Sequence, residues 1–356
     1  MKFHNFPISK VIRTQGRLFI KTEKARDVSL KAAKVFGVSS LSPALETSSK
    51  LDDIVEKSLL LAYQRLEKGN TFAVKCRRVG SHPYGSRDIC RIIGQQILEK
   101  FGEKYGLKVD LKHPGITFGI DVRDEKAFIF DRVVEGQGGL PLGAQPRLVG
   151  LLNGEINSVA ACWLAMKRGC PIVPLCFDNT PYTEENMTKK ATDHARTLLS
   201  WAIGSSRRMY IVPIGRNLKE IVEKCPTHLT CLLCKRMMYK IAEKVAEMLR
   251  VEGIVTGETL GTLGNLTLHD LNILSQAAKL YPIHRPLLGF DKQEIEELAT
   301  KIGICSSLAK QRKVCTIMST KPKTITKLQE IIEAEEKLNV KEMVVQSMKL
   351  LKPVSL

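Results

Sequence analysis

The sequence contains no apolar run that approaches the roughly 20 residues needed to cross a bilayer, and its first residues do not resemble a signal peptide. We therefore expect a soluble, cytoplasmic protein that does not associate with a membrane. Its 10 cysteines are then thiols, metal ligands or redox groups, because disulfide frameworks belong to oxidising compartments.

Acidic residues are also scarce. There are 37 Asp and Glu against 55 Lys and Arg, which gives a formal net charge of +18. The excess of positive charge is the same in both parts of the chain. Residues 1–145 carry 25 basic and 16 acidic side chains, and residues 146–356 carry 30 basic and 21 acidic side chains, so the net charge of each part is +9. An excess in both parts favours a polyanionic partner such as nucleic acid, and the alternative is a lysine-rich, solvated surface.

The pattern of apolar residues divides the chain into three regions. Residues 1–50 hold one strand-like and one helical segment, too little for a domain alone. Residues 51–144 read as a small α+β module that ends in a glycine-rich linker at 135–143. In residues 145–356 strand and helix patterns alternate, which predicts an α/β domain with a doubly wound parallel sheet and ligands at its carboxyl edge.

The most informative segment is residues 148–158, an apolar run that breaks into a glycine-bearing turn before helical periodicity resumes at Val159. A strand, a loop and a helix N-terminus direct backbone N–H groups at one point, which suits a phosphate. Glu155 places a carboxylate in that loop, which opposes such a ligand. The candidate ligand-binding residues are Asn153, Gly154, Glu155, Asn157 and Ser158.

A cysteine pair, Cys231 and Cys234, opens an amphipathic helix whose inward positions include Ile241, Val245 and Met248. Side chains at i and i+3 share a helix face, and the helix N-terminus is expected to stabilise thiolates. One pair is a moderate indication of a metal, because four-coordinate metals usually need two further ligands.

Residues from about 17 to 341 resemble the tRNA 4-thiouridine synthetase family, also called tRNA sulfurtransferases. Segments 72–78, 109–114 and 136–143 resemble its THUMP domain, and segments 165–169, 231–239, 256–261 and 285–292 resemble its PP-loop ATP-pyrophosphatase domain. The implied fold is a PP-loop sheet of the adenine nucleotide alpha hydrolase type, preceded by THUMP. Residues 1–50 resemble a truncated ferredoxin-like segment, in which residues 1–15 supply a strand edge or the start was assigned late.

The resemblance implies a tRNA-binding protein linked to ATP-dependent 4-thiouridine formation, with Mg²⁺ as the partner of ATP. The family's loop reads Ser-Gly-Gly-x-Asp-Ser; here Asn153 replaces the first serine, Glu155 the second glycine and Asn157 the aspartate. We expect impaired adenylation, since Glu155 adds bulk and charge beside phosphate and an amide is a poorer Mg²⁺ ligand. In the rival interpretation Glu155 turns outward and Asn157 still orients water on the metal. A second departure places Thr262 and Leu266 where the family usually has glutamines.

The resemblance also assigns sulfur chemistry. It implies that Cys231, Cys234 and Cys315 hold an iron–sulfur cluster with an open iron, against the alternative of three free thiols. Cys315 and Lys292 match catalytic positions of the family. Residues 309–329 contain six basic and no acidic side chains, which suits tRNA phosphate or simply a solvated loop. The candidate RNA-binding residues are Lys75, Arg77, Arg78, Arg87, Lys313, Lys321 and Lys323.

Three hypotheses follow for function. The first is an active tRNA sulfurtransferase that tolerates the unusual loop, and the second is a tRNA-binding relative that has lost adenylation. The third is sulfur delivery for thiazole synthesis in thiamine formation. The expected partners are tRNA, a sulfur donor, and either a second copy of this chain or an intact homologue.

Overall fold

A computed structural model describes residues 8–14, 16–183, 186–261, 266–304, 315 and 326–356. The chain forms two compact units, Met1–Gly138 and Gly139–Leu356. The division lies inside the glycine-rich stretch, a little before the border expected at residue 144, and residues 1–50 belong to the first unit. No helix in the described ranges is long and apolar enough to cross a membrane.

The first unit is an α+β module built on a five-stranded sheet with the order β4-β8-β7-β5-β6. Its elements are β1 (Ile8–Thr14), β2 (Arg17–Thr22), α1 (Ala25–Ala32), β3 (Ser40–Leu41), β4 (Leu45–Ser48), α2 (Leu51–Arg65), β5 (Thr71–Val79), α3 (Ser86–Tyr105), β6 (Lys108–Val109), β7 (Ile116–Arg123), β8 (Lys126–Phe130) and β9 (Val134–Glu135). The first two strands pair antiparallel, so residues 8–14 supply an edge to the strand at Arg17.

The core of this unit is a layer of fully buried aromatic and aliphatic side chains between the sheet and helices α2 and α3. It includes Phe72, Ile89, Phe118 and Ile129. Because successive strand residues point to opposite faces, the second half of β5 presents a different set of side chains on the face away from the helices, which β2 contacts through Phe19 and Arg17. Lys75 is exposed there.

The second unit is an α/β domain with a six-stranded sheet in the order β14-β13-β10-β11-β12-β15. Its elements are β10 (Leu148–Leu151), α4 (Ile156–Lys167), β11 (Ile172–Asp178), α5 (Met187–Leu199), β12 (Arg208–Pro213), α6 (Gly215–Lys224), α7 (Thr230–Leu249), β13 (Ile254–Val255), α8 (Leu268–Ser275), β14 (Ile283–His284), α9 (Lys292–Ile302), α10 (Leu328–Glu336), α11 (Val340–Lys349) and β15 (Lys352–Ser355).

The first five strands of that order run parallel, and β15 joins the edge antiparallel to β12. This confirms the predicted parallel sheet, whose carboxyl edge carries the loops after β10, β13 and β14. Helix α7 packs against the sheet through a buried face that includes Ile241 and Val245. The prediction that Met248 faces inward is wrong: its side chain is 49% exposed, because it lies on the flank of the last turn.

Candidate functional site

The loop between β10 and α4 forms the junction that the sequence predicts. Gly154 has a φ of +77°, a conformation that disfavours other residues, and a Cβ there would lie 3.1 Å from the Met187 sulfur. Helix α4 begins at Ile156, with Glu155 at the N-cap position. The free N–H groups of the first helical turn therefore lie directly after Glu155.

Side chains of the loop bind one another. The Asn153 amide donates from Nδ2 to Glu155 Oε2 at 2.9 Å, and the Glu155 backbone N–H donates to Asn153 Oδ1 at 3.2 Å. Ser158 Oγ donates to the Glu155 carbonyl at 2.8 Å. The Glu155 carboxylate is thus held on the loop next to the helix N-terminus, and the backbone N–H groups of Asn153 and Glu155 are already bound within the loop.

The loop after β13 lies directly against the start of α4. A Cβ on Gly257 would lie 2.5 Å from the Ser158 nitrogen and 2.6 Å from the Asn157 carbonyl carbon. Only glycine allows the two backbones to approach this closely. The 256–261 segment is thereby fixed against the candidate phosphate loop.

Glu258, the residue after Gly257, is the centre of a buried ionic group. It is 8% exposed; its carboxylate accepts from Arg285 Nε at 2.7 Å and from Lys235 Nζ at 3.3 Å. Burial alone would raise the pKa of Glu258, but the Lys235 ammonium, the Tyr239 hydroxyl and the Arg285 guanidinium together hold it below its usual value. The sequence motifs contain all of these residues but do not indicate that they meet, because they come from three separate segments.

The cysteine pair lies in the first turns of α7, and both thiols are half-buried, as is Cys315. Burial raises the pKa of the Cys234 thiol, and the neighbouring Cys315 and Cys231 raise it further by smaller amounts. The expected thiolate is therefore wrong for Cys234 in the free protein, because desolvation outweighs the helix end. The mutual interaction shows that the three thiols lie near one another, yet in the described part of the chain no three His, Cys, Asp or Glu side chains are arranged to hold a metal ion.

Lys292 is exposed at the first position of α9, after the capping residue Asp291. Its Nζ lies 3.8 Å from a carboxylate oxygen of Glu296, one turn along the same helix. Within the described residues, no hydrogen bond or ion pair joins Lys292 to the candidate phosphate loop or to the cysteines.

Some of the candidate RNA-binding residues come together on the first unit. Lys75 and Arg77 are exposed and line, with Arg17 of β2, a cavity of about 450 Å³ on the face of the sheet away from the helices. Arg78 has the opposite orientation in β5 and donates to the Gly80 carbonyl at 3.0 Å. Arg87 is exposed in the first turn of α3. Lys313, Lys321 and Lys323 lie outside the described residues, and so does Thr262; Leu266 is buried.

Comparison with known proteins accounts for both units. The family model described as "Thiamine biosynthesis protein (ThiI)" matches residues 143–340, and the THUMP domain model matches residues 48–131. A probable tRNA sulfurtransferase of Methanosarcina acetivorans is 36% identical, over 99% of this chain and 85% of the relative. One of Caldanaerobacter subterraneus is 35% identical, over 93% and 86%.

A solved structure is similar over nearly the whole chain. It is a 4-thiouridine synthetase in complex with RNA and with bound ATP, which is 30% identical and superposes with a TM-score of 0.88 over 97% of this chain and 90% of the other. A Pyrococcus horikoshii protein, PH1313, shares the fold with a TM-score of 0.64 at 24% identity.

Proposed function

Since this chain belongs to the ThiI family of tRNA sulfurtransferases, we propose that it binds tRNA and takes part in ATP-dependent 4-thiouridine formation, with a phosphate loop that holds ATP weakly. The observation that supports weak ATP binding is the hydrogen-bonded pair of Asn153 and Glu155. Binding of RNA and ATP is supported by the similar synthetase whose structure contains both.

The loop opposes a triphosphate in two ways. A carboxylate about 4 Å from a phosphate charge costs ~4 kcal/mol at intermediate dielectric. Glu155 also has its own N–H donor bound to Asn153, so that donor must be released before it can bind phosphate. Asn157 offers Mg²⁺ a neutral amide oxygen where a carboxylate is preferred.

The reaction proposed for the site is an adenylation followed by sulfur transfer. Uridine O4 forms a bond to the α-phosphorus, the bond from that phosphorus to the bridging oxygen breaks, and its electron pair leaves with pyrophosphate. Sulfide then displaces the activated oxygen as AMP. Cys231, Cys234 and Cys315 are thiols, the soft donor type that an iron–sulfur cluster takes, although their side chains are not arranged around one point here. A cluster held by these thiols would supply the iron for handling sulfide.

Two further candidates have an observation in their favour. The ATP-bound synthetase favours a fully active sulfurtransferase in which Glu155 moves away on binding. The description of the matching family model favours sulfur delivery for thiamine formation.

The experiment is a titration of ATP·Mg into the wild type and into a Glu155→Gly, Asn157→Asp double variant. Because the change removes the repulsion and returns a carboxylate ligand, ATP affinity should rise by at least an order of magnitude, ~1.4 kcal/mol or more. Both proteins are then assayed for 4-thiouridine with tRNA and sulfide.

Glu252→Gly is the matched control, because Glu252 is an exposed carboxylate before β13, at the opposite edge of the same sheet. It should leave ATP affinity unchanged. Micromolar ATP binding and full thiolation of tRNA by the wild type would contradict weak ATP binding and would support a fully active sulfurtransferase.

A further inference from the structure

Exposed arginines of the second unit are concentrated at the amino edge of its sheet. Strands β13, β10, β11 and β12 are neighbours and run parallel, so the four segments that lead into them meet at this edge. Those segments contain one acidic residue, Glu252, and five exposed arginines, which are Arg147, Arg168, Arg207, Arg208 and Arg250. Neighbouring strands lie about 4.8 Å apart, so the row of arginines spans roughly 15 Å.

These edge arginines differ from the other arginines of the same unit in how they are paired. Arg196, Arg216, Arg236 and Arg285 each lie within 4.0 Å of an Asp or Glu oxygen. Among the described residues, no carboxylate lies within that distance of any edge arginine. The edge therefore carries positive charge that the protein itself does not neutralise.

Helix ends account for only part of this arrangement. The carbonyl groups at the C-terminal end of a helix attract cations. Arg147 Nη2 donates to the carbonyl of Leu249, the last residue of α7, at 2.8 Å, and Arg168 directly follows α4. Arg207 and Arg208 do not follow a helix end in this way, because α5 already ends at Leu199.

Arg250 occupies a backbone conformation that favours glycine. It follows α7 with a φ of 52° and a ψ of 61°, in the left-handed region. Glycine is the usual residue at such a position, because a side chain adds strain there. An arginine that is present despite this strain indicates that its side chain has a role of its own.

We propose that the amino edge of the sheet binds the phosphate backbone of RNA, as a contact surface separate from the one on the first unit. Guanidinium groups match phosphate oxygens through paired N–H donors, and a row of them suits a run of successive phosphates. The candidate phosphate loop lies at the carboxyl edge, so the two edges of one sheet have different tasks. That the RNA is tRNA rests on the proposed function.

Titration of tRNA into the full chain over a salt series tests this surface. Arg168→Ala combined with Arg208→Ala should lower the slope of log affinity against log salt by about two, since two phosphates are no longer neutralised. Affinity at physiological salt should fall roughly tenfold or more. Neither side chain has a hydrogen bond or an ion pair to a described residue, so the fold should be kept.

Two further variants serve as controls. Arg168→Lys combined with Arg208→Lys should keep the slope, because both charges remain. The matched control replaces Lys219 and Lys244 by Ala, which are exposed cations of the same unit, 3.8 Å and 2.7 Å from glutamates of their own helices, and it should leave the slope nearly unchanged. Melting temperatures identify variants that do not fold, and Gln replaces Ala at both arginines if the first variant fails.

An unchanged slope for the Arg168→Ala, Arg208→Ala protein would overturn the inference, and so would an equal decrease in the lysine control. An unchanged slope with a lowered melting temperature would assign these arginines to stability alone. The proposed function fails in a different way. If the wild type binds tRNA and duplex DNA equally but the arginine replacements lower both slopes, tRNA recognition is wrong and the edge remains a surface for phosphate backbones.

Discussion

Asn153 and Glu155 form a complementary pair of side chains within the loop. Each satisfies a polar group of the other, through two hydrogen bonds of 2.9 Å and 3.2 Å. Removing only Glu155 would leave the Asn153 amide without that acceptor, and removing only Asn153 would leave a carboxylate without its donor at the helix N-terminus. The side chains of Asn153 and Glu155 therefore act as one unit.

The thiols lead to a prediction at the same scale. Protein prepared without oxygen should be brown and contain iron and sulfide, and both should disappear when Cys231, Cys234 or Cys315 is replaced by Ala, because a cluster with three thiolate ligands does not tolerate removal of one. Iron and acid-labile sulfide are measured per chain. Cys170→Ala, which removes a half-buried thiol elsewhere in the same unit, should keep both. Stoichiometric zinc without iron would rule out the cluster.

Residues of the loop and the cysteine pair could be predicted because each set is contiguous and its spacing has local meaning. The ionic group of Lys235, Glu258 and Arg285 could not, because its members come from α7 and from the loops after β13 and β14. The pKa of Cys234 could not be predicted for a related reason. Burial depends on everything packed around a thiol, and the helix to which it belongs accounts for only part of that.

Helix α7 is the element on which the second unit depends. It carries the cysteine pair and Lys235, and its buried face packs on the sheet. Arg236 and Lys240 attach it to Glu335 of α10, so the cysteine helix is tied to the first helix after the basic segment. The sequence predicts its start near the cysteines, whereas it does not predict α6, α10, α11 and β15. Strand β15 contains a proline and pairs at an edge, a position that its short sequence does not reveal.

The tie between α7 and α10 should make stability depend on pH. Burial would raise the pKa of Glu335, but Arg236 and Lys240 hold it below its usual value. The stabilisation is therefore complete above the unfolded-state pKa near 4.5 and is lost as the pH falls through the lower folded-state pKa. Glu335→Gln should lower the free energy of unfolding by about 3 kcal/mol at neutral pH.

Denaturant unfolding of both proteins from pH 7 to well below pH 4.5 measures this, and the difference in the free energy of unfolding should narrow at the acid end. Glu333→Gln, which changes an exposed carboxylate on the same helix, is the control and should have little effect at any pH. A difference that stays constant down to the lowest pH would show that Glu335 stabilises through its packing and not through its charge.

At the scale of the whole molecule, positive charge is distributed over both units, +9 in each half counted from the sequence. The fold class was predictable because alternation of strands and helices leads to a parallel sheet in few other ways. The domain boundaries were harder to predict from the sequence, because residues 1–50 belong to the first unit and do not form a separate one. Strand β4 pairs with β8, and Arg17 forms an ion pair with Asp121, which joins this segment to the sheet of the first unit.

Binding of tRNA should weaken steeply with salt, because each neutralised phosphate releases counterions. Replacing Lys75 and Arg77 by Ala should reduce the slope of log affinity against log salt by about one for each phosphate that is no longer neutralised. The matched control replaces Lys100 and Lys104, exposed on α3 in the same unit, and should leave the slope unchanged. Affinities are measured over a salt series with tRNA and with duplex DNA. Equal affinity for the two nucleic acids would contradict the proposal that the protein recognises tRNA.

The contact of Gly257 with the start of α4 limits which residues around the phosphate loop can be substituted. Gly257 lies against the peptide that joins Asn157 to Ser158, so side chains at 153, 155 and 157 can be exchanged while this backbone contact is kept. Gly257 has no such freedom, since even a methyl group would displace the peptide opposite. Substitutions at 153, 155 and 157 should therefore leave the start of α4 in place, whereas any replacement of Gly257 should displace it.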